Sequence, residues 1–332
     1  MNELLTYRIL KSLLKLLITG GLGFIGSHLT DKLSNKNNDI MILTKTLSKK
    51  SNLRNLSKNI KIKKINLTNF QKVGRVIENF RPDVIIHLAG NTSHSRSFEK
   101  PLQDVDSNTK TTLFMLEKIR EIKLSCKFIL GSTFIVIGRP KKLPVNESTP
   151  CNPTTIYGTN RLASEHLCKI YHEVYGINTN IFRITNSYGP REQVKPNKNA
   201  INFLIFQASK NRKVNIYNKG EFFRDLIFID DVISGIVTIL KKGKPGELYW
   251  ISSGKRIWFK KFARILQNMT DCEIAFPATP SYTKKVDVGN FVVDNKKLKS
   301  LGWNTKISIE EGISKTLKYF EMKKKIKIMI SF

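Results

Sequence analysis

The run from Leu16 to Gly26, L-L-I-T-G-G-L-G-F-I-G, constrains this chain more than any other stretch. Leu16, Leu17 and Ile18 form a short apolar run suited to a buried strand, and Gly20, Gly23 and Gly26 follow it, with Gly21 inside the turn. Ile25, Leu29 and Leu33 then recur every four residues, the spacing of one helix face. Glycines between a strand and a helix mark the position of a dinucleotide loop. One permits the tight turn, another lets backbone N–H groups approach a pyrophosphate, and another lets helix pack against strand. The helix N-terminus adds unpaired N–H groups and the positive end of its dipole.

With 332 residues, 40% of them hydrophobic, the chain can bury a large core as one elaborated domain or two. No apolar run approaches the roughly 18 residues of a membrane span. Residues 1–14 read as an N-terminal extension leading into the first strand, since no small-residue cleavage site follows them. Cys126, Cys151, Cys168 and Cys272 have neither metal-ligand nor redox spacing, so free thiols and a cytoplasmic setting are expected. Lys and Arg outnumber Asp and Glu by 57 to 26, for a net charge of +31. Nucleic acid or a polyanionic substrate would account for that excess. The lysines are scattered, however, and their one compact run, Lys323 to Lys325, reads as part of a solvated basic tail over 321–332. No nucleic-acid partner and no metal site are expected.

Strand-like and helix-like runs alternate through the first half, which predicts a parallel α/β sheet. Strands are expected at 40–43, 60–67, 84–88 and 128–130, with helices over 70–80, 108–123 and 155–175. In the 108–123 helix Leu113, Leu116 and Ile119 make one stripe, and Phe114 and Met115 widen it beyond what one sheet face needs. A strand over 180–185 follows. Beyond Gly189-Pro190 the alternation breaks down, as it does where segments build a substrate lobe.

Tyr157 and Arg161 lie four apart at the start of the long helix and share a face. Thr133 closes a strand at its carboxyl end, where open α/β sheets bind ligands. A tyrosine beside a cation and a hydroxyl suits general acid/base work, because positive charge favours the phenolate. Spacing alone leaves a surface tyrosine on an amphipathic helix equally open.

The ordered set Thr19–Gly26, His87–Gly90, Gly131–Gly138, Tyr157–Arg161, Asn186–Pro190 and Arg224–Asp231 resembles the extended short-chain dehydrogenase/reductases. Within them it is similar to the nucleotide-sugar epimerase/dehydratase group of UDP-glucose 4-epimerase type. The resemblance runs from about residue 15 to 303. It implies a Rossmann-type NAD(P) domain over 15–179 and a smaller nucleotide-sugar lobe over 180–320, with a stretch near 222–242 returning to the first domain. It implies cofactor contacts at Gly20, Gly23, Phe24, Ile25, Gly26, Thr44, Lys45, Asn66, Leu67, Leu88, Ala89 and Gly90. Tyr157 and Thr133 would handle the proton of a sugar hydroxyl, with Arg161 as their cationic partner on the cofactor ribose. Asn186, Arg224 and Lys284 would bind the nucleotide sugar, and the 108–123 and 155–175 helices would pair with a second copy in a homodimer.

Four departures from the family pattern carry consequences. Arg161 stands where the Tyr-x-x-x-Lys motif has lysine, keeping the charge on a larger, planar head. Thr44-Lys45 replaces the acid expected to bind a ribose 2′-hydroxyl, so NADP is open beside NAD. Asn66 replaces an adenine-contacting aspartate. Phe134-Ile135 replaces the Asp-Glu pair of the 4,6-dehydratases, which argues against elimination of water. Three readings follow: a 4-epimerase acting through transient C4 oxidation, an NADPH-dependent 4-ketoreductase, and a non-catalytic dinucleotide sensor or scaffold.

Overall fold

The computed structural model describes residues 13–329 except 35–37, 55–56, 196–198 and 281–284, with the backbone alone for 323–329. Its centre is a seven-stranded parallel sheet. In chain order the first strands and helices are β1 (Lys15–Thr19), α1 (Phe24–Ser34), β2 (Asp39–Thr44), β3 (Ile60–Lys64), α2 (Phe70–Phe80) and β4 (Val84–His87). Then come α3 (Thr111–Glu121), β5 (Lys127–Thr133), α4 (Ile156–Tyr175) and β6 (Asn178–Ile184). The seventh strand is β11 (Leu248–Ile251), and the spatial order is β11-β6-β5-β4-β1-β2-β3. β1 and β4 lie at the middle, with Ile18 opposite Ile86, and helices cover both of their faces. Leu16, Leu17, Ile18, Val84, Ile85 and Ile86 are accordingly all fully buried.

The ends of α4 follow from local chemistry. The Thr155 hydroxyl accepts a hydrogen bond from Gly158 N at 3.0 Å and caps the start, and Gly176 closes the helix at φ +66°. α3 is shorter than the 108–123 expectation because Asp106–Lys110 forms one wide turn of π type ahead of it. Its apolar stripe also differs. Met115, Leu116 and Ile119 are buried, whereas Phe114 stacks on Phe70 of α2 at 4.8 Å. The side chain left partly uncovered is Leu113, so the widening has an intramolecular cause at Phe114 and Met115.

A lobe of short strand pairs and helices sits over the carboxyl ends of the sheet. It contains β7 (Asn186–Tyr188), α5 (Ala200–Ala208), β8 (Val214–Asn215), β9 (Phe223–Arg224), β10 (Leu226–Phe228), β12 (Ile257–Trp258), α7 (Phe259–Met269), β13 (Ile274–Ala275) and α8 (Ile309–Met329). β10 pairs with β7, β12 with β9 and β13 with β8. Between β10 and β11, α6 (Ile229–Lys242) returns to the sheet beside α1. The division expected at 179/180 therefore falls inside β6, and the returning stretch reaches past 242 to include β11. α8 packs Ile313, Leu317 and Phe320 into the core, and its backbone stays helical through the first part of the basic tail. All four cysteines are free thiols.

Candidate active site

Sheet and lobe enclose one continuous cavity of about 1580 Å³ that runs from the glycine turn to the β8 strand. At the turn, Gly20 takes φ +71°, donates to Leu43 O at 3.0 Å and accepts from Gly23 N at 2.9 Å. A Cβ on Gly26 would run into the Gly20 carbonyl, so this is a steric requirement for glycine. Phe24 and Ile25 open α1 at the cavity wall, with Leu88, Ala89 and Gly90 facing them from the end of β4. The Thr19 hydroxyl accepts from Leu88 N and Ala89 N and bonds to buried His87, whose ring burial pushes down to about 3 and keeps neutral. That arrangement fixes the spacing between β1 and the strip at Leu88–Gly90.

The far end of this half is lined by Thr44, Lys45, Asn66 and Leu67. The Thr44 hydroxyl is turned onto its own loop, donating to Thr46 O at 2.9 Å. Asn66 accepts from Thr68 N at 3.4 Å. No carboxylate stands at this end among the described cavity-lining residues; Lys45 and Lys49 do.

Tyr157, in the first turn of α4, and Thr133, at the end of β5, both line the middle of the cavity, with the Thr133 hydroxyl near enough to the Tyr157 hydroxyl to favour its charged form. Thr133 Oγ1 also accepts from Ile135 N at 3.3 Å, which starts the turn at Phe134–Ile137. Burial pushes the Tyr157 hydroxyl up from its ordinary value; Arg161 and Thr133 pull it down, and Asp104 adds to the rise. Arg161 thus acts in the expected direction, favouring the phenolate, but burial, which the sequence does not show, acts against it and is the larger effect. Removing a phenolate from water costs more than the neighbouring guanidinium returns.

Arg161 is 4% exposed, and its Nε and Nη1 have no hydrogen-bond partner. Nη1 lies 3.4 Å from where a Cβ on Gly90 would stand, and that Cβ would collide with Asn108 Oδ1, which is also unpartnered. Two of these orphaned polar atoms, Arg161 Nη1 and Asn108 Oδ1, thus stand around a position that only glycine leaves open. Buried polar groups without partners are costly, so this cluster fits a ligand that brings hydroxyls, as a nicotinamide ribose does.

In the lobe, Arg224 is buried, pairs with Asp287 at 2.6 Å and lies over the Phe222 ring at 4.9 Å. Asn186 lines the cavity and donates to Asp225 O at 3.4 Å. Asp225 itself is a buried hub that accepts from Ser253 N, Gly254 N and Val293 N, and its burial pushes the carboxyl up to about 6. Lys284 lies outside the described residues.

The sequence reading missed a second layer. Asp104, 1% exposed, accepts from Asn91 Nδ2 at 2.5 Å and from Asn160 Nδ2 at 2.7 Å, and His94 faces the cavity beside Tyr157. The available signal was Asn160, inside the Tyr157–Arg161 motif itself. A second buried tie joins strand to helix here: Arg183 on β6 grips Glu165 on α4, with Nη2 to Oε2 at 2.7 Å, and Ser132 donates to the same carboxylate. Removing one partner of such a buried pair costs about 3–5 kcal/mol.

A Rossmann-type sheet with this glycine turn and tyrosine pair has the architecture of an extended short-chain dehydrogenase/reductase. More narrowly, residues 17–316 match the family model described as GDP-mannose 4,6 dehydratase, and the chain belongs to that family of nucleotide-sugar epimerases and dehydratases. A protein of Methanocaldococcus jannaschii described as "Putative UDP-glucose 4-epimerase" is 32% identical over 92% of this chain and 98% of its own length. A dTDP-D-glucose 4,6-dehydratase of Dictyostelium discoideum is 30% identical over 92% of this chain and 81% of its own. Among solved structures, the UDP-glucose 4-epimerase of Thermotoga maritima with UDP-glucose superposes with a TM-score of 0.86 at 28% identity, covering 93% of this chain and 99% of that one. Several solved neighbours hold NAD in their crystals.

Proposed function

We propose that the protein is an NAD-dependent nucleotide-sugar 4-epimerase, with a nucleoside diphosphate hexose of the UDP-glucose/UDP-galactose type as substrate. The observation that carries this reading is the Tyr157–Thr133 pair, set between a glycine turn that fits a dinucleotide and a lobe that offers Arg224. Bound along Gly20–Gly26, NAD would accept hydride from the sugar C4 and give it back. Tyr157 Oη takes the proton of the C4 hydroxyl and later returns it, while Thr133 Oγ1 holds that oxygen in line. Arg161 offers Nε and Nη1 to the ribose and lowers the cost of charge on Tyr157 Oη. Arg224 and Asn186 hold the diphosphate end, and Lys284 is assigned there on sequence grounds. Phe134 and Ile135 follow Thr133 with apolar side chains, which supply no acid or base for loss of water.

A second reading, a 4-ketoreductase using NADPH, is favoured by Thr44, Lys45 and Lys49 at the adenosine end. Incubation with UDP-, dTDP- and GDP-hexoses separates the two. Inversion at C4 without added reductant supports the epimerase, and a stoichiometric demand for NADPH on 4-keto sugars supports the reductase. A protein that binds dinucleotide yet converts no sugar under either condition is a sensor or scaffold.

The working unit is a homodimer joined through α3 and α4. Leu113, Ile170, Val174 and Tyr175 leave apolar surface uncovered on these two helices, the pattern of a self-complementary interface. Light scattering at micromolar concentration should return twice the 38.0 kDa chain mass, and a monomer would contradict the assignment.

A further inference from the structure

Between β4 and α3 the chain makes two short helices, His94–Glu99 and Pro101–Val105. His94 opens the first. Its ring lines the cavity, 5.6 Å from the Tyr157 ring between centroids and tilted by 42°. Among the described residues neither ring nitrogen has a hydrogen-bond partner in the protein. Burial lowers the ring below its ordinary value of 6.5, against an opposing pull from Asp104. A neutral imidazole has one donor and one acceptor nitrogen, which suits a hydroxyl better than it suits a phosphate or a carboxylate.

The turn that carries this ring is fixed to the helix that carries Tyr157. Asn91 accepts from Ser93 N at 3.2 Å and donates to Ser93 O at 3.3 Å, so it clamps the residue before His94. The same Asn91 amide donates to Asp104, whose other oxygen accepts from Asn160 Nδ2 on α4. Thr109 Oγ1 donates to Asn160 Oδ1 at 3.2 Å and completes the set. A histidine on an ordinary cavity rim needs no such buried carboxylate behind it. Side chains that must meet a ligand in one geometry are held by a supporting layer of this kind.

We propose that His94 hydrogen-bonds the C3 hydroxyl of the sugar and selects substrates that carry it. The assignment rests on the nucleotide-sugar reading of the site. In a hexopyranose the neighbours of C4 are C3, which bears a hydroxyl directly, and C5, which bears the ring oxygen and a hydroxymethyl group whose hydroxyl stands one carbon further out. A polar group standing beside the tyrosine that acts on the C4 hydroxyl therefore meets the C3 hydroxyl first. Sites built to hydrogen-bond a substrate hydroxyl discriminate strongly against analogues that lack it, because the site is then left with an unpaired polar group.

The experiment is calorimetric titration of the NAD-loaded protein with the hexose nucleotide it binds best, with its 3-deoxy analogue and with the free nucleoside diphosphate. His94→Phe, which keeps a ring against Tyr157, should weaken the hexose nucleotide about tenfold, the loss expected for one hydrogen bond. It should leave the free nucleoside diphosphate unchanged and should bind the parent and 3-deoxy compounds alike. His94→Gln, which retains a donor and an acceptor, should recover part of the loss. An equal loss for the free nucleoside diphosphate would assign His94 to structure alone and overturn the proposal, as would no loss at all. A wild-type protein that binds nucleoside diphosphates but none of their hexose esters more tightly overturns the proposed function as well.

Discussion

The two halves of the cavity are built by different means. The cofactor half is anchored on one contiguous β–turn–α unit, where a Cβ at Gly20 would crowd Ala89 and one at Gly26 would run into the Gly20 carbonyl. Leu88–Gly90, Thr44, Lys45, Asn66 and Leu67 complete its lining. The substrate half is walled by side chains from separate pieces: Asn186 on β7, Arg224 on β9 and Asp287 some sixty residues further on. Arg224 is held in position by Asp287, the Phe222 ring and the Phe223 carbonyl. A turn shaped by backbone sterics commits the first half to one class of ligand. A side-chain wall leaves the second free to change its sugar or base by substitution, at little risk to the fold.

Tyr157 stands where the halves meet, so the largest effect is expected there. Tyr157→Phe should lower turnover by about 10²–10⁴ while dinucleotide affinity stays at the wild-type level. Loss of cofactor binding in that variant would place the tyrosine in the cofactor wall and blur the division between halves. Arg161 tests the same boundary from below. Arg161→Met removes the charge and the unpaired donors, and should cost more than tenfold in kcat/KM together with weaker cofactor binding. Arg161→Lys restores the family motif and should stay within about tenfold of wild type, about 1.4 kcal/mol. A methionine variant equal to wild type would make Arg161 a bystander. The smallest effect is expected at the adenosine end. Thr44→Asp should move the NAD/NADP preference toward NAD by several-fold, through repulsion of the 2′-phosphate, with the rate on the preferred cofactor unchanged. A wild type that already prefers NAD strongly would mean that a group other than Thr44 reads the ribose.

The same contrast explains what the chain discloses before it is folded. β1, the glycine turn and α1 are legible because their requirements are local: an apolar strand, a glycine that must adopt φ +71°, and a helix face every four residues. Tyr157 and Arg161 share one helix face and Thr133 closes a strand, but that spacing suits a surface tyrosine equally well, and only the ordered set of motifs around them singles them out. His94, Asp104 and Asn91 are not legible, since polar residues in a loop look alike until Asp104 is seen to bridge that loop to Asn160. The tyrosine's electrostatics are also hidden, because sequence shows the nearby cation but not the burial that outweighs it. Strand β11 escapes for a related reason. Leu248–Ile251 is a four-residue apolar run like many others, and only pairing with β6 makes it part of the sheet.

The central claim is that C4 of a nucleotide hexose is oxidised and reduced in place between Tyr157 and the bound dinucleotide. It is tested most directly by a substrate carrying deuterium at C4, followed by NMR in ordinary water. The account predicts that the inverted sugar keeps its deuterium, because the hydride that leaves C4 returns to C4 without exchanging with solvent. Tyr157→Phe should show neither inversion nor label loss on the same timescale. Inversion with the label washed out would mean a proton, not a hydride, leaves that carbon, and would contradict the assignment of the site.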